Sequence, residues 1–231
     1  MQTAMRLVAL IIVALIAACG GAASVAVDPT APLTSAAGTA TPAATTAVAT
    51  GAGWTVTDKS KATVRVHEQL VGVNLPSDAV LTATGAKGSF SLNADGTFSS
   101  DSKLTFDLTT LSSDQQNRDN FVKQDTLNTR QFPTATFVPT KVTGLALPLP
   151  ASGDFTFTLN GTLTIRGKGK QVTFDLKATR NGGDLTATAT ANPTLKFEDF
   201  GMSAPSVPLR VVSVTDEIRL VIDIVATGPA S

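Results

Sequence analysis

The chain of 231 residues holds one cysteine, one histidine and no tyrosine. The cysteine, Cys19, lies close to the N-terminus, so nothing downstream offers a disulfide, a thiol nucleophile or a sulfur ligand. With His67 as the one imidazole, a zinc or iron site would rest almost wholly on carboxylates, an unusual donor set for either metal. No Ser-His-Asp or Cys-His arrangement can be argued, and no two carboxylates are fixed at a catalytic separation. Charge is scarce as well. The 18 basic and 18 acidic residues cancel and make up 16% of the chain, against about 25% in an average soluble protein. No basic run stands out, so nucleic acid has no electrostatic foothold. No metal, no cofactor and no nucleic-acid partner is therefore expected. What the chain has in quantity is Thr, Ala, Val and Leu, punctuated by Gly and Pro, a mix that favours pleated strands.

The N-terminus reads as an address. Residues 1–6 carry one positive charge, and Leu7 to Ala17 form an apolar run. That run is too short for a membrane span, which needs about 20 residues, but it suits a signal peptide. It ends in Ile16-Ala17-Ala18-Cys19-Gly20, which resembles a bacterial lipobox. The resemblance implies a signal peptide over 1–18, a diacylglyceryl group on Cys19, and a membrane-anchored lipoprotein facing the periplasm or the cell exterior. An ordinary signal cleaved near residues 19–24 is the alternative. After Cys19, residues up to 53 are Ala, Thr, Pro, Ser, Gly and Val with one leucine, Leu33, a single charge, Asp28, and no aromatic residue. Such a segment cannot bury enough apolar surface to offset the entropy of ordering it, so 19–53 is expected to be a disordered linker.

From Trp54 to Ser231 the pattern is one folded domain with a period of two. Trp54-Thr-Val56, Ala62-Thr-Val64-Arg-Val66, Leu104-Thr-Phe106, Phe155-Thr-Phe157, Val172-Thr-Phe174 and Ile218-Arg-Leu220 all alternate. Alternation places one face against an apolar interior and the other in a different environment. Asn93 to Gly96, Asn160-Gly161, Gly167 to Lys170 and Asn181 to Asp184 read as turns. About eight strands at this spacing predict a closed antiparallel barrel or a sandwich. Ser112 to Val122 breaks the pattern; Ser112 and Ser113 each precede a Gln by three positions and could open a capping box. A short helix over about 114–123 is expected, with a further turn near 126–130.

The order of motifs resembles the YceI family. Asn117-Arg118-Asp119-Asn120-Phe121 is similar to its short Arg-Asp helix. Gln131-Phe132-Pro133-Thr134-Ala135-Thr136-Phe137 is similar to its entry into the next strand, and Gly161-Thr162-Leu163-Thr164-Ile165-Arg166-Gly167 to its most recognisable string. Phe197-Glu198-Asp199-Phe200-Gly201 and Val214-Thr215-Asp216-Glu217-Ile218 resemble two later segments. The resemblance covers about residues 54–227. The chain departs from the family in a longer loop from Gly72 to Asp78 and in Lys170-Gln171, where a proline often precedes the valine. The family implies an all-β, eight-stranded antiparallel lipocalin-like barrel with a short helical insertion and a long apolar cavity, in which members hold polyisoprenoid, isoprenoid-quinone or fatty-acid-like amide chains.

Phe106, Phe137, Phe157, Leu163, Ile165, Phe174, Phe197 and Phe200 are the candidates for lining such a cavity, since they sit on alternating strands or in matched motifs; each could equally be ordinary core. His67 and Arg118 are headgroup candidates. The competing readings are a hydrogen-bonded histidine at the rim and an arginine that pins the helix to the barrel. The leading function is binding, and transport or storage, of an apolar lipid. The alternative is a filled barrel acting as an envelope interaction module. A lipid- or quinone-modifying enzyme would need a titratable cluster at a barrel mouth, for which the sequence offers no convincing group, so no enzyme is expected.

Overall fold

The period-two alternation is realised as ten strands in a computed structural model that describes residues 52–206 and 209–229. The signal peptide, Cys19 and nearly all of the 19–53 linker lie outside the described residues. The strands are β1 (Ala52–Val56), β2 (Lys61–Leu70), β3 (Ser77–Ala83), β4 (Lys87–Leu92), β5 (Lys103–Asp107), β6 (Thr134–Thr143), β7 (Ser152–Ile165), β8 (Lys168–Asn181), β9 (Asp184–Ala191) and β10 (Val211–Thr227). Every pairing is antiparallel. The order β1-β4-β5-β6-β7-β8-β9-β10 closes on itself through β1–β10, giving a ring of eight. This is the eight-stranded antiparallel barrel expected of the sequence. Ring closure satisfies backbone groups that an open sheet would leave exposed.

Eight becomes ten because the first two strands are each broken once. β1 and β2 lie along the same edge of β10, and β4 and β3 follow them on the other side. At the first break Ser60, which is fully buried, replaces a ladder partner. Its Oγ accepts from the Val225 N–H at 2.8 Å and donates to the Val225 carbonyl at 3.1 Å. Beyond the break, β2 continues along β10 and β3 along β2, and the segment from Thr110 to Ser112, just before the helical insertion, bonds to the end of β3. Thr82 and Ser112 exchange backbone hydrogen bonds of 2.8 and 2.9 Å, and the Thr84 N–H donates to Thr110 Oγ1 at 2.9 Å.

Three local expectations need correction. Asn160-Gly161 is not a turn: both residues sit inside the unbroken 14-residue β7, paired with β8 from Ser152–Asn181 to Ile165–Lys168. The turn falls instead at Arg166-Gly167, whose φ values of 52° and 73° are the left-handed pair that a two-residue hairpin demands. Gly169 and Lys170, also read as turn residues, belong to β8. The insertion is helical close to where expected but begins two residues later and ends three later, with α1 spanning Gln116–Phe121 and running into a single π turn, Val122–Thr126. Neither capping box forms. Ser113 Oγ accepts from the Gln115 N–H at 3.1 Å and donates to Asp119 Oδ1 at 2.6 Å, so the buried Asp119, not a glutamine, is its partner. The strands β3 and β4 were not legible as strands at all.

Candidate functional site

Along β8 the inward positions Val172, Phe174, Leu176, Ala178 and Arg180 are all buried, with outward neighbours mostly exposed. The other long strands follow the same rule, and together their inner faces enclose a cavity of about 100 Å³. The cavity occupies the end of the barrel where the chain enters at β1 and leaves at β10. The β4–β5, β6–β7 and β8–β9 connections form its rim. Every described residue that lines it is apolar, and none of these carries a charge or a hydroxyl. Aromatic rings come from both sides, with Phe155 and Phe157 on β7 facing Phe90 on β4 and Trp54 on β1. Ala178, Ala187 and Ala189 give the β8–β9 wall small side chains on its inner face.

Phe137 and Phe174 form the floor. Their rings meet edge to face, 5.3 Å between centroids and 87° between planes, the arrangement favoured by the aromatic quadrupole. Below them the barrel is filled. Leu163, Phe197 and Phe200 are buried there, the last two on the 3₁₀ turn (Glu198–Phe200) and just before it, and Ile165 packs half-buried against the same cluster. Of the eight cavity candidates, Phe106, Phe137, Phe157 and Phe174 line the cavity. Leu163, Ile165, Phe197 and Phe200 do not, because they sit beyond the floor in solid core.

The rim holds one buried cation. Arg180 continues the inward row of β8 and is 4% exposed. Its Nε donates to the Gly182 carbonyl at 3.0 Å, and one terminal nitrogen donates to the Leu149 and Pro150 carbonyls at 3.1 Å each. Its guanidinium lies 5.0 Å from the centroid of the Trp54 ring, a cation–π contact. Trp54 stacks on Phe90, with 6.4 Å between centroids, and Phe90 meets Phe98 edge-on at 6.3 Å. Arg180 thus ties the β6–β7 connection, which supplies Leu145 and Leu149 to the lining, to the barrel wall. Sequence reasoning missed Arg180, Trp54, Phe90, Phe98 and Phe155. Phe155 shares the face of Phe157 two residues away and Arg180 shares that of Phe174, so alternation alone would have found those two.

The headgroup candidates sit elsewhere. His67 lies on the outer face of β2, with Nδ1 3.2 Å from Asp78 Oδ1. Asp78 also accepts from Arg219 at 2.5 Å; that hydrogen bond first, and His67 second, hold its carboxyl below the usual value. Arg118 pins α1 to the barrel, donating to the buried Glu68 at 2.6 Å and to Asp114 at 2.7 Å. Neither lines the cavity. At the filled end Asp199 pairs with Lys170 and accepts from the Lys196 N–H at 2.9 Å. Burial pushes its pKa up, but these two donors outweigh that and leave it lowered.

A small, closed antiparallel barrel with an apolar cavity open toward one rim is the class of protein that this fold and site define. The chain belongs to the YceI-like family, whose domain matches residues 54–226. A UPF0312 protein of Pseudomonas putida strain F1 is 37% identical over 126 residues, covering 48% of this chain and 61% of that protein. One from Pseudomonas fluorescens SBW25 is 36% identical over the same length. The chain therefore spans about three fifths of the curated relatives it matches. Among solved structures, a polyisoprenoid binding domain from Saccharophagus degradans, implicated in plant cell wall breakdown, superposes with a TM-score of 0.57 at 14% identity, covering 76% of this chain and 98% of that one. Burkholderia cenocepacia BcnA gives 0.53 at 21% identity, covering 73% and 97%. At these identities the likeness is one of fold.

Proposed function

We propose that the barrel binds the apolar chain of a lipid, a polyisoprenoid, isoprenoid-quinone or fatty-acid-like amide, and carries or stores it as an exported lipoprotein tethered through acylated Cys19. The observation that carries this reading is the cavity lining, which is apolar without exception and open toward one rim. Such a surface offers nothing for acid–base or nucleophilic chemistry, but it suits a chain that asks only to leave water. Burial contributes about 25 cal/mol per Å² before the costs of association. The polyisoprenoid-binding function named for the structurally similar Saccharophagus domain supports the same reading. The solid packing of the other half of the barrel favours a second reading, an envelope interaction module that takes no ligand.

Native mass spectrometry of the mature chain, carrying Cys19→Ser and purified without detergent, tests the two. A stoichiometric prenyl or acyl species that organic solvent extracts is expected. A clean apo mass with no uptake of added quinone or fatty amide would favour the interaction module. Metabolic acyl labelling that Cys19→Ser abolishes is expected of the anchored form; unlabelled wild-type protein would remove the anchor.

A further inference from the structure

The cavity ends halfway down the barrel, and its floor is made by two residues. Resting on the lipid-binding reading, we infer that the Phe137–Phe174 pair is a length gauge. It admits a short single chain, or the end of a longer one, and holds the rest outside the barrel.

Three strands give the same depth. The lining runs from Ala178 to Phe174 on β8, from Leu185 to Ala189 on β9 and from Phe155 to Leu159 on β7. Each run covers four residue steps, about 13 Å along a strand, which at a barrel tilt of about 40° is about 10 Å of depth, so about eight carbons of an extended chain with C–C bonds of about 1.5 Å is the most that fits, and the volume of about 100 Å³ presses that number lower. The floor cannot simply turn aside. Phe137 and Phe174 are 4% and 1% exposed and lie edge to face. One side of the Phe137 ring is pressed on Gly161, the only residue type that leaves it room: a Cβ there would stand 2.4 Å from its Cζ. Behind the pair, Leu163, Leu195, Phe197, Phe200 and Met202 are all buried and fill the interior. Above the floor the β9 side chains are small, Ala187 and Ala189, so the space that exists is set by the height of the floor and not by a narrow neck. Carbons beyond about the eighth extend past the rim, between the 93–98 and 145–150 connections, where they lose no water-exposed area.

The test is a titration of the mature Cys19→Ser chain with single-chain fatty amides of roughly four to twenty carbons. While the chain is short, each added methylene raises affinity by about fourfold. The expected curve climbs to at most about eight carbons and then flattens. Phe137→Leu, which lowers the floor, moves the break to longer chains by a few carbons. Ala189→Leu, which fills the wall just above the floor, moves it to shorter ones and does not depend on the floor variant folding. An affinity that keeps climbing through the longest chains in the wild type, or a break at the same length in all three proteins, overturns the gauge while leaving lipid binding intact. Failure of the wild type to bind any length overturns the lipid reading itself, and the gauge with it.

Discussion

The phenyl ring of Phe137 stands where a side chain at Gly161 would have to go. A Cβ there would lie 2.4 Å from Phe137 Cζ and 2.6 Å from the Val138 carbonyl oxygen. Gly161 is required by close approach and not by a special φ, which is why it sits mid-strand. Gly161→Ala is expected to cost about 2–3 kcal/mol, the usual penalty for forcing extra volume into a packed core. Adding Phe137→Leu should restore part of that loss and not all of it, since the Val138 oxygen stays. Urea unfolding of both variants checks this; full tolerance of Gly161→Ala would contradict it.

Arg118 is expected to matter for stability and not for ligand uptake. Its partner Glu68 is 6% exposed, so Arg118→Ala leaves a buried carboxylate without its cation and should cost about 3 kcal/mol. Glu68→Gln combined with Arg118→Ala should be less damaging than Arg118→Ala alone. A double-mutant cycle by chemical denaturation, run beside a lipid-uptake assay, separates this from a headgroup role, which would show as lost uptake in a stable protein.

Acid should weaken the fold partly through Asp199. Because Lys170 and the Lys196 N–H hold its folded pKa below the ordinary 3.8, the unfolded chain takes up the proton first. The stabilisation is then complete above about pH 4 and is lost as pH falls below that value. Asp199→Asn should cost about 1–2 kcal/mol at neutral pH and flatten the decline below pH 4. Asp78, lowered chiefly by Arg219, acts in the same sense and leaves a remainder. Urea midpoints against pH for wild type and variant decide it; parallel curves would refute the assignment.

Arg180→Lys keeps the charge but not the fork that reaches Gly182, Leu149 and Pro150. The expected outcome is faster amide exchange in residues 144–151, with the strand amides of β8 and β9 little changed. Unaltered protection in that connection would show that Arg180 does not hold it.

The barrel was legible in the sequence because its strongest signal, alternation, is also what a barrel wall consists of. β5 to β10 all carry it. The breaks were not legible, because Ser60 and the 84–86 segment act through partners such as Val225 that lie far along the chain. Asn160-Gly161 misled for a related reason: it has the local chemistry of a turn, and only the ring of Phe137 explains the glycine. The candidate site was half legible. Alternation places Phe106, Phe137, Phe157 and Phe174 inward, but it cannot say at what height the interior becomes solid, so Leu163 and Ile165 looked the same, and Phe197 and Phe200 entered through a motif resemblance that says nothing of height. His67 could have been set aside on parity, since Val66 and Glu68 beside it are the buried positions of β2.

Past the break in its first strands the sheet ends at β3, whose far side carries a single bridge, Thr82–Ser112. A strand end of that kind is an invitation to intermolecular growth, in which a second copy adds its own strand alongside. Pro76, directly before β3, has no amide hydrogen to give such a visitor. Asp78, already engaged by Arg219, would bring one carboxylate against its twin. At Thr82 and Thr84 that edge is already bonded to Ser112 and Thr110, so growth there would have to start on the first half of β3, where Pro76 and Asp78 oppose it.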